Sequence, residues 1–571
     1  MPNQTPNLKI KMLRFLVVAF ICTVGLHAHA QSIPAPSDKN LQSADEYETL
    51  GNQLYEQKKY DLALPYFTKA FEIEPTHNGA AYSVACLYAL MGKKELAFLW
   101  LEKAKNAFFL DAKHTETDED LLSLHDDPRW PKILNAMAKG EARKGALWNS
   151  KVWATPYKDQ LSEDEKVAGL SKYWSEVKYN FVYTDKLMDL DWDAVYLRYL
   201  PKVRAAKNTY EYYKLLMEMN ALLGDGHTNV YAPKEIYNTY YASTPIRTKL
   251  IEDSVIVTDI VDAKLQEKGL VRGVEILSIN NTPVKVYESE HDLPYTVAAS
   301  PQDLNVRLYN YQFLSGKIDE SVKLGLMDEK GRRFDVDLSR DSDANISKAF
   351  KGSPSSSIFK VIGDGIVLVS LNSFGSDRVA ELYLRDFPEI SKAKAIIFDV
   401  RKNGGGSGSV GFKILSTLVD KPFLYAQSHT RDYKPYSRAQ GQVVRKFTFP
   451  QGSVSPDLKN QFNGEVVVLT SAMSFSAAED FVVAFKQMKR GLVIGEATAG
   501  STGQPLGFSL PGGGSARVCT KEDTFADGTK FIGIGVKPDL EAHQTVADFR
   551  ANKDTVLAFA LDTLKKKLSA N

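Results

Sequence analysis

Four apolar runs constrain the C-terminal half of this chain more than any other feature. They are Gly365–Leu371 (GIVLVSL), Ala395–Val400 (AIIFDV), Glu465–Thr470 (EVVVLT) and Gly491–Glu496 (GLVIGE). None alternates polar with apolar residues, so each reads as a strand buried on both faces. Helical stretches around 377–391, 408–419 and 476–490 separate them. Strands alternating with helices predict an α/β core over residues 355–571.

The 571 residues exceed what one hydrophobic core organises, so further domains are expected upstream, giving a multidomain chain of α and α/β parts. Tyr47, Leu50, Gly51, Leu54, Ala63, Phe67, Ala70 and Pro75 fall at tetratricopeptide spacings. A shift of 34 residues gives a second copy at Ala81, Val84, Ala85, Tyr88, Ala97, Leu101 and Ala104. A helical tetratricopeptide array is therefore expected over 44–145, a type of surface that recruits a protein partner. Residues 146–242 carry aromatic and aliphatic stripes at helical spacing and predict a helical domain. Short strands follow from 243 to 345. There Gly269-Leu270, Gly273 and EILSINNTPV resemble a PDZ domain, a fold that adds an extended peptide to a sheet edge.

The N-terminus reads as a targeting segment. Lys9, Lys11 and Arg14 precede the run FLVVAFICTVGL, and Ala28-His29-Ala30 fits a small-x-small cleavage site. A signal peptide at 1–30, a polar linker at 31–43 and an exported product, periplasmic or secreted, with no integral membrane segment after cleavage, are expected. Cys86 and Cys519 remain in segments assigned to different domains, which argues against a disulfide. Lys+Arg 71 against Asp+Glu 70 gives a formal charge of +1, which excludes nucleic acid as an expected partner.

The stretch TSAMSFSAAEDF places three serines where the run EVVVLT gives way to a helix. Ser476 and Glu479 form S-x-x-E, a capping box, so Ser476 reads as a helix cap. Taken alone, a serine here is more often a cap; with further parts it also reads as a nucleophile on a strand-to-helix turn, with the Ala477 N–H facing an oxyanion. A second donor is available from DVRKNGGGSGS, where Gly404, Gly405 and Gly406 let the backbone bend. The G-x-G-x-x-G of Gly406, Gly408 and Gly411 is rejected as a dinucleotide fingerprint: it does not follow its strand tightly and no ribose-binding acid ends the next one. Seven histidines follow residue 30, none with metal-ligand spacing, and no metal or cofactor is expected. His227 alone among them sits in a constrained turn, GDGHT.

Taken in order, GDGHT, the PDZ-like segment, FDVRKNGGGS, SFSAAEDF, GEATAG and GIGVKPD resemble the tricorn-core and carboxyl-terminal-processing serine peptidases over about residues 165–545. The resemblance implies a crotonase-like α/β peptidase core, Ser476 as nucleophile, and oxyanion donors at Ala477, Gly405 and Gly406. The processing branch uses a lysine as base, but Ser501 takes its place in GEATAGSTG. The tricorn branch uses a histidine, matching His227, preceded by a serine where this chain has Gly226. It also has a glutamate ahead of GV-x-PD, and Phe531–Gly535 contains no acid. The orienting acid is thus unassigned, with Asp225, Glu496 and Asp527 as candidates. The implied function is an exported serine endopeptidase acting on proteins or peptides. A catalytically degenerate peptide-binding scaffold and a hydrolase of non-peptide esters or amides are the alternatives.

Overall fold

The computed structural model describes residues 43–350, 358–442 and 445–570. The expected signal peptide and all but the last residue of the linker lie outside them. The chain forms two compact units that divide between Asn149 and Ser150.

The first unit is a run of antiparallel helices: Ala44–Glu56, Tyr60–Ile73, Asn78–Leu90, Lys94–Asn106 and, after two short helical turns, Trp130–Trp148. Ser43 starts it with a reciprocal cap, its Oγ accepting the Glu46 N–H at 3.2 Å while Glu46 accepts the Ser43 N–H at 3.0 Å. Ala63, Ala70, Ala97 and Ala104 are fully buried, and small residues there let helix backbones approach. A Cβ on Gly51 would touch the Phe67 ring at 3.0 Å.

In the second unit a six-stranded sheet runs in the order 540–541, 492–495, 465–470, 395–399, 366–370, 359–363. All neighbours are parallel except the last pair. Both faces are covered, as unbroken apolar runs require. Ile396, Phe398, Val466 and Val468 pack beneath helices Arg378–Ile390, Gly408–Leu415 and Ala477–Met488. Ile397, Val467 and Leu469 face the opposite way, toward Val556, Ala560 and Leu564 of the final helix. Residues 246–338 form a separate antiparallel sheet with Ile246–Ile251 at one edge.

The aromatic helices do not close a core alone. Leu510, Ala516, Val518 and Cys519 join Tyr173, Phe181 and Tyr213 in one cluster. The Tyr213 hydroxyl donates to the Pro511 carbonyl at 2.7 Å. Asn229–Tyr231 pairs antiparallel with Ser515–Arg517, a contact between segments nearly 290 residues apart. That pairing belongs to a separate three-stranded sheet with Pro505–Ser509 and ties the turn containing His227 to the C-terminal segment.

Candidate active site

Two of the three serines at the end of strand Glu465–Thr470 fasten the turn. Ser471 Oγ donates to the Arg401 carbonyl at 2.7 Å and Ser474 Oγ to the Val400 carbonyl at 2.8 Å. The third is held differently. Ser476 has φ 58° and ψ −126°, a conformation non-glycine residues adopt at a cost of order 1–3 kcal/mol. Its N–H is shared between the Ser501 carbonyl at 3.0 Å and Glu479 Oε2 at 3.2 Å. Its Oγ lies 3.0 Å from His227 Nε2.

His227 follows helix Thr209–Ala221 and is 3 % exposed. Its ring stacks on Phe475 with centroids 4.7 Å apart. Burial holds its pKa well below the usual 6.5, and the positive charges of Arg517, Arg307 and Lys521 push the same way. The imidazole is therefore neutral near pH 7 and able to accept a proton. Its other nitrogen, Nδ1, lies 2.8 Å from Ser501 Oγ. The residue standing where the processing branch has lysine thus contacts the histidine.

Ser501 is itself fixed by Glu479. The carboxylate accepts the Ser501 N–H at 2.8 Å, the Gly500 N–H at 2.7 Å and the Thr498 hydroxyl at 2.6 Å, besides the Ser476 N–H. One buried side chain therefore ties together the backbones of both serines that flank His227. Burial raises the Glu479 pKa to about 7 against the pull of those donors. The S-x-x-E pattern flagged Glu479 as a capping residue, and nothing local in the sequence points to its contacts with Thr498–Ser501.

None of the three acids considered for orientation bonds to the His227 ring. Asp225 is buried and accepts the Thr228 hydroxyl at 2.6 Å. Glu496 lies 3.5 Å from His543, and Asp527 accepts the Thr529 N–H at 2.9 Å in its own turn. Gly226 has a steric reason: a Cβ there would sit 2.6 Å from Ser501 Oγ and 2.9 Å from Phe475 Cε2. Ser501 fills the space that a side chain at 226 needs.

The glycine loop abuts Ser476. A Cβ on Gly405, at φ 95°, would lie 2.7 Å from Ser476 Cβ and 3.0 Å from the Ala477 nitrogen. Of the two glycine N–H groups expected to face an oxyanion, that of Gly405 donates instead to Asn403 Oδ1 at 2.9 Å. Asn403 is fully buried and anchored by its own amide to the Leu371 carbonyl at 2.8 Å. The Gly406 and Ala477 N–H groups donate to no acceptor among the described residues.

A neutral buried imidazole between two hydroxyls, on a strained strand-to-helix turn with unengaged N–H groups nearby, is the arrangement of a serine-peptidase-type site. Residues 365–542 match peptidase family S41 and residues 168–221 the tricorn protease C1 domain. The C-terminal processing peptidase of Tetradesmus obliquus is 28% identical over 175 residues, 30% of this chain and 34% of that protein. The tricorn protease of Thermoplasma acidophilum is 22% identical over 390 residues, 66% of this chain and 32% of that protein. The chain spans about a third of the length of these two relatives. In structure it is similar to mature CPAF complexed with lactacystin, with a TM-score of 0.56 at 15% identity, over 71% of this chain and 98% of that one. Among the described residues no helix is long and apolar enough to cross a membrane.

Proposed function

We propose that the protein is an exported serine endopeptidase of the tricorn and carboxyl-terminal-processing type. The observation that carries this reading is the 3.0 Å approach of Ser476 Oγ to the neutral, buried His227 Nε2. Ser476 attacks the scissile carbonyl as its proton passes to His227 Nε2. The tetrahedral oxyanion is met by the N–H groups of Ala477 and Gly406, while Gly405 supplies the close approach that no larger residue allows. The imidazolium then protonates the leaving amine, and water repeats the sequence on the acyl-enzyme. In the productive tautomer Nδ1–H donates to Ser501 Oγ. Unlike a carboxylate, a hydroxyl can donate as well as accept, so it does not impose that tautomer by charge. Glu479 supplies rigidity by fixing the Ser501 backbone.

In this reading residues 44–145 are a tetratricopeptide module that recruits a protein partner, 146–242 a helical domain carrying His227, and 243–345 a PDZ-like module for an extended peptide. Residues 355–571 are a crotonase-like core, behind a signal peptide at 1–30 and a linker at 31–43. Proteins or peptides are the substrates, and the product of export is periplasmic or secreted. The test is fluorophosphonate labelling of the purified mature protein. Labelling that disappears in Ser476→Ala supports the reading; an unlabelled wild-type protein sinks it.

A further inference from the structure

The small sheet that continues from His227 has two unlike faces. Strand register puts Val230, Ala516 and Val518 on one side, where they enter the aromatic core. Asn229, Tyr231, Ser515 and Arg517 lie on the other, with Gly507 opposite Arg517 on the outer strand. This second side adjoins His227. Asn229, two residues past His227, is buried at the inner end of this side and bonds to Arg517, whose charge bears on the imidazole. Its outer part is open: Tyr231 is 37 % exposed, and nothing lies within 4 Å of a Cβ built on Gly507.

Arg517 stands at its centre. Nε donates to Asn229 Oδ1 at 2.8 Å, and the guanidinium carbon lies 5.7 Å from the Tyr231 ring centroid. Both partners are uncharged. The other two cations near His227 are neutralised locally, Arg307 by Asp303 at 2.9 Å and Lys521 by Asp523 at 2.8 Å. Arg517 has no carboxylate partner among the described residues. A half-buried guanidinium fixed in place by a neutral amide, beside an uncovered glycine, bears a desolvation cost that an arriving anion offsets.

We propose that Arg517 binds a carboxylate of the substrate peptide beside the scissile bond, from either an acidic side chain or the chain terminus. The inference rests on the peptidase reading for its substrate class and adds the feature selected. Its test is binding rather than turnover, so that it fails separately from the nucleophile assignment. Fluorescein-labelled peptides are titrated by anisotropy into the full-length Ser476→Ala protein. One arm compares a peptide carrying Glu with the same peptide carrying Gln at each position in turn. The other compares a free with an amidated C-terminus. Amide for carboxylate is expected to raise Kd about tenfold or more in one arm, the equivalent of 1.4 kcal/mol, and that arm identifies the source. Adding Arg517→Gln is expected to remove the difference, and Arg517→Glu to reverse it. Arg517→Lys keeps the charge without the planar fork, so it shrinks the difference without abolishing it and serves if the Gln variant fails to fold. Equal affinity within both pairs, or a difference that survives in the Gln or Glu variant, overturns the proposal. Absent fluorophosphonate labelling of the wild-type protein sinks the peptidase reading instead.

Discussion

Ser501 Oγ lies 2.8 Å from His227 Nδ1 across 274 residues of chain, and a neutral hydroxyl occupies the place where a histidine base is commonly held by a carboxylate. Glu479 accepts from the Ser476, Gly500 and Ser501 N–H groups and the Thr498 hydroxyl, fixing the backbones of the two serines that flank His227. His227 is thus placed by a rigid loop rather than by a facing charge.

The proposed nucleophile, Ser476, is separable from its neighbours by substitution. Ser476→Ala is expected to abolish peptide hydrolysis and probe labelling while the melting temperature moves by a few degrees. Ser474→Ala removes a buried hydrogen bond and is expected to cost about 1–3 kcal/mol while leaving labelling intact. Thermal melts beside gel-based labelling check both. Full activity in Ser476→Ala overturns the assignment.

Ser501→Ala leaves His227 Nδ1 without its hydroxyl partner. A fall in kcat of about tenfold is expected, the order of one lost hydrogen bond, with KM little changed. Gly226→Ala pushes a methyl group into Ser501 and Phe475 and is expected to be more harmful than Ser501→Ala. Gly226→Ser combined with Ser501→Gly relieves the collision and offers a hydroxyl from the other side. Steady-state kinetics should show the pair outperforming Gly226→Ser alone.

Acidification should act through Glu479 before His227. The Glu479 pKa is raised to about 7, whereas that of His227 lies well below 6.5. Protonating Glu479 sets an O–H against backbone N–H donors and loosens the loop carrying Ser501. The acid limb of kcat/KM is therefore expected near pH 7, and Glu479→Gln should remove that limb at a lower plateau. A limb near 7 that persists in the variant contradicts this. The stability effect runs the other way: with its folded pKa above the ordinary 4.5, Glu479 contributes most below about 4.5 and the contribution is lost as pH rises through about 7.

The two units each bury their own core. A chain starting at Ser150 is expected to fold and to retain fluorophosphonate labelling, since Ser476, His227, Ser501 and Glu479 all lie beyond that point. Loss of labelling with a preserved melting transition shows that the helical array shapes the site.

Much of this arrangement is written locally. The unbroken apolar runs specify strands covered on both faces, because no polar alternation leaves a side for water. Small residues at Ala63, Ala70, Ala97 and Ala104 specify close helix packing, and the turn after Thr470 marks where a strand becomes a helix. Glycines 405 and 406 announce a backbone pressed against something, though not that Gly405 spends its N–H on Asn403. The partner of His227 was decided only by tertiary structure. Ser501 read as a missing lysine and Glu479 as a helix cap, because their sequence neighbourhoods describe a loop and a helix start. Their roles arise when Asn229–Tyr231 pairs with Ser515–Arg517 and packing sets three distant loops within hydrogen-bond reach. Periodicity reports which face of an element is buried, whereas the identity of what it is buried against belongs to the whole fold.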